Sequence, residues 1–142
     1  MILVSACLLG VNCKYNGENN YNDKVIKFLK NKKFIPVCPE QLGGLQTPRL
    51  ASEIVLKKNK KYVLNVNNED VTKQFVRGAN EVLNIAKKFN CSLAVLKAKS
   101  PSCGFGKIYD GSFSSKLVDG NGITAQLLID NNIKVISEKD IN

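Results

Sequence analysis

Residues 1–10 read Met1-Ile2-Leu3-Val4-Ser5-Ala6-Cys7-Leu8-Leu9-Gly10. The run Ile2–Ser5 is short, apolar and suited to a strand buried on both faces. The next forty residues decide what kind of sheet it joins. Asn22 or Asp23 can cap a helix, and Val25, Ile26, Phe28 and Leu29 supply an inner face, which predicts a helix to about Lys32. A second apolar run, Phe34–Cys38, predicts another short strand stopped by Pro39. Strand, helix, strand implies a crossover connection and parallel pairing.

Further along, the loop with Gly43, Gly44 and Pro48 leads to two strand-like runs, Glu53–Lys57 and Tyr62–Val66. They flank the turn Lys58-Asn59-Lys60 and predict a hairpin. Phe75, Ala79, Val82, Leu83 and Ala86 recur at helical spacing, predicting the longest helix from Asp70 to about Phe89. A strand over Leu93–Lys97, a loop over Ser100–Gly104 and a run Lys107–Leu117 broken by the turn Asp110-Gly111 follow. A helix from about Ile123 to Asp130 and a last strand, Lys134–Ser137, complete the pattern. The expected fold class is α/β: one domain over residues 1–142, a mostly parallel open sheet flanked by helices, and a small antiparallel hairpin insertion.

Composition agrees with that reading. The 142 residues are 44% hydrophobic and 23% charged, enough apolar content for a packed core and too much for disorder. No apolar run approaches the length of a membrane span, so no membrane partner is expected. The chain opens without a basic n-region or a cleavage site, so a cytoplasmic location is expected. The net charge is +9, but apart from Arg49 and Arg77 the cations are scattered lysines. They read as solvated faces with a general attraction for phosphorylated molecules rather than as a dedicated nucleic-acid surface. Nothing in the sequence specifies an oligomeric state.

The cysteines carry the chemistry. There are five, Cys7, Cys13, Cys38, Cys91 and Cys103, and no histidine. An odd count without a secretory signal argues against a disulfide framework. The lack of histidine excludes Ser-His-Asp and Cys-His catalysis and imidazole-ligated zinc. Cys7, Cys38 and Cys103 each fall at or just past the carboxyl end of an expected strand, and in a parallel sheet those ends share the ligand-binding edge. Cys91 enters its strand from the opposite edge and reads as a small buried hydrophobe; Cys13 shares the first loop with Cys7 and can approach the site, but reads more simply as a plain loop thiol. The competing reading of the trio is that cysteine simply packs well in such an interior. Against it stand Pro36, Pro39, Pro101 and Gly104, which fix the flanking loops without adding core volume. Three thiolates without histidine favour zinc, copper(I) or an iron–sulfur cluster. Zinc would draw a fourth ligand from Cys13 or Glu40, whereas a cubane on three cysteines leaves one iron open as a Lewis acid.

Several motifs appear in a fixed order. They are Ser5-Ala6-Cys7-Leu8-Leu9-Gly10, Pro36-Val37-Cys38-Pro39-Glu40, Gly43-Gly44-Leu45 with Thr47-Pro48-Arg49, and Asp70-Val71-Thr72 with Phe75 and Gly78-Ala79. Ser100-Pro101-Ser102-Cys103-Gly104, Ile108-Tyr109-Asp110-Gly111-Ser112-Phe113 and Gly120-Asn121-Gly122-Ile123-Thr124-Ala125 follow. The set resembles the thiouracil desulfidase family nearly end to end. That resemblance implies a [4Fe-4S] protein that removes sulfur from thiolated uracil without net redox chemistry. It places the three cluster cysteines at Cys7, Cys38 and Cys103, the family glutamate at Glu40 and the serine-rich loop at Ser100 and Ser102. Where the family pattern has Arg-Tyr-Asp-Gly, this chain has Lys14-Tyr15-Asn16-Gly17, which removes any carboxylate role there. The additional domain of relatives that resemble tRNA desulfidases is not seen after the last strand. The expected partner is therefore a small thiolated pyrimidine or its nucleotide. A tRNA thiouridine desulfidase and a zinc-stabilised binding domain are the alternatives.

Roles follow from side-chain chemistry. With histidine missing, Glu40, two residues from Cys38, is the expected acid and base. Ser100 and Ser102 are expected at the pyrimidine edge. Arg49 is expected to bind substrate or pair with a carboxylate. Thr124, at a helix start, is expected near a substrate phosphate. Asp110-Gly111 reads as a hairpin turn; Tyr15 and Tyr109 can stack on a ring, though tyrosines beside turns read more simply as packing residues.

Overall fold

The computed structural model describes residues 1–142. A central parallel sheet carries β1 (Ile2–Ser5), β2 (Phe34–Val37), β5 (Leu93–Leu96) and β8 (Lys134–Ser137) in the order β2-β1-β5-β8. Helix α1 (Asp23–Leu29) makes the first crossover. A one-turn helix α2 (Pro39–Leu42), the hairpin β3 (Ser52–Lys57) and β4 (Lys60–Asn65), and the long helix α3 (Thr72–Lys88) lie between β2 and β5. A second antiparallel pair, β6 (Lys107–Tyr109) and β7 (Leu117–Asp119), and helix α4 (Ile123–Asp130) precede β8. No helix is long and apolar enough to cross a membrane.

Alternation along the strands builds two cores. Leu3, Ala94, Leu96 and Val135 face α3 and α4 with Val82, Leu83, Ala86, Ala125 and Leu128. Ile2, Val4 and Val95 face the other way, against Val25 and Leu29 of α1 and Ile141 near the C-terminus. The expected α/β fold is the one observed, with the strands' carboxyl ends aligned by the pairings Ser5 with Val37 and Val4 with Val95.

Local departures have local causes. Helix α1 is capped as expected, with Asn22 Oδ1 accepting the Val25 N–H at 3.1 Å. It ends at Leu29 rather than Lys32, because Asn31 takes a left-handed conformation at φ 63°. Pro39 starts a helical turn instead of leading into loop; it lacks the N–H that a first helical position leaves unpaired. Helix α3 starts at Thr72, after Asp70 Oδ1 accepts the Thr72 N–H at 2.9 Å. The β3–β4 turn is only Lys58-Asn59, both at positive φ, as a tight primed turn requires. The run over Lys107–Leu117, expected to be broken by a turn at Asp110-Gly111, is broken more widely, into two strands joined by residues 110–116. Glu53 Oε1 accepts N–H groups from Gly111 at 3.0 Å and Phe113 at 3.2 Å, so the connection is pinned to β3 instead of closing as an Asp110-Gly111 turn.

Two glycines dock α2 onto α3 backbone to backbone. A Cβ on Gly78 would lie 1.9 Å from the Pro39 carbonyl oxygen, and one on Gly43 2.0 Å from that of Gln74. The approach anchors the segment that carries Cys38 and Glu40. In an open helix interior alanine outdoes glycine, so the sign of Gly78→Ala is informative. The variant is expected to lose about 1–3 kcal/mol or more in denaturant unfolding, because the two backbones must separate. A gain in stability would contradict the close crossing.

Candidate active site

The carboxyl ends of β1, β2 and β5 open into one cavity of about 620 Å3, within the range of about 300–1,000 Å3 for small-molecule sites. Cys7 reaches it from the 3-10 turn Ala6–Leu9 after β1, Cys38 from the junction of β2 and α2, and Cys103 from the loop after β5. The parallel sheet thus brings together the three thiols that the sequence pattern singles out. Cys91 packs in the core as expected. Cys13 is not a plain loop thiol: it is buried and lines the same cavity, and Cys38 Sγ lies 3.7 Å from its carbonyl oxygen.

Electrostatics divide the thiols into two kinds. The Cys13 thiol donating to Cys38 holds the Cys38 pKa down at about 6, with burial opposing and the Gln41 N–H and Arg49 assisting. Cys7 is lowered by the same donor against burial, helped by Asn20 and the Lys97 ammonium. Cys13 itself is pushed up by these two hydrogen bonds and by desolvation. Full burial raises Cys103 despite a hydrogen bond from Ser5.

The segment around Cys103 is rigid because it doubles as the cap of α4. Ser100 Oγ accepts the N–H groups of Ser102 at 3.1 Å and Cys103 at 3.0 Å. Pro101 and Ser102 carbonyls accept the N–H groups of Ile123, Thr124 and Ala125 at 2.9–3.1 Å, filling the bonds a helix start leaves open. A Cβ on Gly122 would fall 2.4 Å from the Ser102 carbonyl, so only glycine permits this contact. These bonds overturn two expectations. Thr124 does not meet a phosphate, because the helix N–H groups are already used and its side chain is fully buried. Ser102 does not face the pyrimidine, because its Oγ lies 2.7 Å from Thr124 Oγ1, sealed from solvent. Ser102→Ala and Thr124→Val are each expected to cost about 1–3 kcal/mol by stranding the other hydroxyl. Substrate KM should stay unchanged, and a rise of KM with stability intact would restore a binding role.

Glu40 and Arg49 meet on the cavity wall. Arg49 Nε lies 2.7 Å from Glu40 Oε2. Its Nη1 donates to Thr47 Oγ1 at 2.9 Å and the Gln46 carbonyl at 3.2 Å, and its Nη2 to the Cys13 carbonyl at 2.8 Å. Of the two roles expected for Arg49, the structure places it in the ion pair. It is a clasp between three segments, and it leaves Glu40 Oε1 without a protein partner beside the cavity. Ser100, Tyr15, Tyr109 and Phe113 complete the walls, so the two tyrosines are more than packing residues. Asn16 bonds Glu18 instead and does not line the cavity.

Lys97 is a residue the sequence reading misses. Its Nζ reaches the cavity between Glu138 Oε2 at 2.9 Å and the Ala98 carbonyl at 3.0 Å, and Glu138 Oε1 accepts the Ala98 N–H at 2.7 Å. A lysine at the end of a buried strand is the one available signal. Its carboxylate partner lies too far along the chain for any pattern to connect them.

No three His, Cys, Asp or Glu side chains converge tightly enough to grip a single ion. Cys7, Cys38 and Cys103 on one cavity, with no histidine in the chain, form a soft donor set that fits an iron–sulfur cluster.

Comparison with known proteins agrees with this geometry. The chain is 43% identical over 148 aligned residues to an uncharacterized protein, YbbK, of Bacillus subtilis (strain 168), covering 100% of this chain and 98% of that one. Its fold matches a solved [4Fe-4S]-dependent thiouracil desulfidase, TudS, with a TM-score of 0.88 and 36% identity, over 98% of this chain and 91% of the other. The model of one family, 2-thiouracil desulfurase, matches residues 2–140. The chain belongs to the 2-thiouracil desulfurase family.

Proposed function

We propose that residues 1–142 work as one iron–sulfur-dependent desulfidase domain. It replaces the sulfur of a thiolated uracil, as base or nucleotide, by oxygen, releasing hydrogen sulfide without net redox change. The observation that carries this reading is the meeting of Cys7, Cys38 and Cys103 with Glu40 in a single cavity. The relative described as [4Fe-4S]-dependent and the family match support it. Cys7, Cys38 and Cys103 would hold a [4Fe-4S] cluster. When bound, it supplies a Lewis acid, with one iron free of protein ligands for a soft thiocarbonyl sulfur.

The remaining steps belong to side chains. Tyr15, Tyr109 and Phe113 wall the ring off from bulk water. Ser100 Oγ already accepts two N–H bonds, so its own hydrogen is available to a ring oxygen or nitrogen. Water adds to the ring carbon that bears sulfur, and Glu40 Oε1 takes its proton. The Arg49 bond to Oε2 fixes the direction of that carboxylate. When the C–S bond breaks, Glu40 returns that proton to the departing sulfur, and the adduct's hydroxyl gives up its own proton as the carbonyl forms, the second proton of hydrogen sulfide. Water and a thiocarbonyl become a carbonyl and hydrogen sulfide, with no electron left over.

The test is turnover by anaerobically cluster-loaded protein, given 2-thiouracil, 4-thiouracil and their nucleotides without reductant or oxidant. Uracil and sulfide are expected in equal amounts from at least one of them. A requirement for an electron donor, or sulfide only from intact thiolated tRNA, would contradict the proposal.

A further inference from the structure

We infer that Glu53 is a substrate-binding residue, its free carboxylate oxygen accepting a hydrogen bond from a ring N–H of the pyrimidine. This rests on the thiolated-uracil reading above and adds the acceptor that the ring's own donors require. In β3, Ile54 enters a core with Phe75 and Ile108. Alternation along the strand turns Glu53 to the opposite face, where it lines the cavity together with Ser100, Tyr109 and Phe113. Its Oε1 is already spent on the N–H groups of Gly111 at 3.0 Å and Phe113 at 3.2 Å. Its Oε2 has no protein donor, and none of the chain's ion pairs includes Glu53.

A carboxylate with one oxygen fixed and the other free is a directed acceptor. Gly111 makes the fixing possible: it sits at φ 92°, and a Cβ there would lie 2.7 Å from the Ile54 carbonyl oxygen. A side chain at that position would push the loop off β3 and release Glu53. The ring N–H groups of a thiolated uracil are its strong hydrogen-bond donors, and a donor buried without an acceptor is costly. The Ser100 hydroxyl serves the ring's acceptors, and Glu40 Oε1 is committed to water. Glu53 Oε2 supplies the missing complement on the same cavity wall.

The test uses anaerobically cluster-loaded wild type, Glu53→Gln and Glu53→Ala. In Glu53→Gln the amide oxygen can still hold Gly111 and Phe113, while the amide nitrogen sets a donor against the ring's donor. KM for thiouracil is expected to rise about 10–100-fold, the worth of one hydrogen bond to a charged group. Iron content and kcat should stay near wild type. Hydrogen exchange at the Gly111 and Phe113 amides is expected to stay slow in Glu53→Gln and to quicken in Glu53→Ala, which separates the substrate bond from the loop clamp. Thiouracils methylated on either ring nitrogen identify the donor. One of the two is expected to bind wild type weakly and to lose nothing further in Glu53→Gln, the non-additivity of a direct pair. Loss at the nitrogen that carries ribose in a nucleotide assigns the site to free bases, and loss at the other nitrogen admits nucleotides. An unchanged KM in Glu53→Gln, or methylation losses equal in both proteins, would overturn the inference. So would a wild type that binds both methylated rings as tightly as the parent. Uracil binding, read by calorimetry, needs no turnover: binding that Glu53→Gln weakens, in a protein that releases no sulfide, would contradict the proposed function alone.

Discussion

Cys7→Ala, Cys38→Ala and Cys103→Ala are each expected to abolish desulfuration and to leave protein with little bound iron after anaerobic loading. The three thiols enter the cavity from three separate strand ends, so none can take over another's corner. Cys91→Ala is the matched control: its thiol packs in the core below α3, away from the cavity. It should lose some stability and keep its iron and turnover. Near wild-type turnover in any one of the three ligand variants would show that the cavity thiols are packing residues after all.

Glu40→Gln is expected to lower kcat by about 10²–10⁴-fold, the usual range for a lost general acid–base group. The amide oxygen can still accept from Arg49 Nε, so the wall of the cavity and the 2.7 Å contact have a replacement. Iron content and substrate KM should therefore stay close to wild type, and the loss should appear in kcat alone. The chain has no histidine to take over the role. Turnover within a few fold of wild type would remove Glu40 from the proton path.

The site trio is legible in the sequence because a parallel sheet converts three distant positions into neighbours along one edge. Ile2–Ser5, Phe34–Cys38 and Leu93–Lys97 are strong strand signals, and the cysteine at or beyond each carboxyl end needs no further pattern. What escapes is decided by side-chain direction and by distant partners. Ser102 and Thr124 look like surface hydroxyls in sequence, yet the fit of Gly122 against Ser102 turns them toward one another. Cys13 looks like a loop residue because the contact that holds its backbone comes from Arg49, in another loop. The Lys97–Glu138 pair and the Glu53 clamp on residues 111 and 113 likewise join segments that no local periodicity connects.

The most direct test of the account is metal analysis of protein isolated without oxygen, before any substrate is added. It predicts a brown protein with about four iron and about four inorganic sulfide per chain, as a single [4Fe-4S] centre requires. A colourless protein holding one zinc, or metal-free protein that still releases sulfide from a thiouracil, would contradict it.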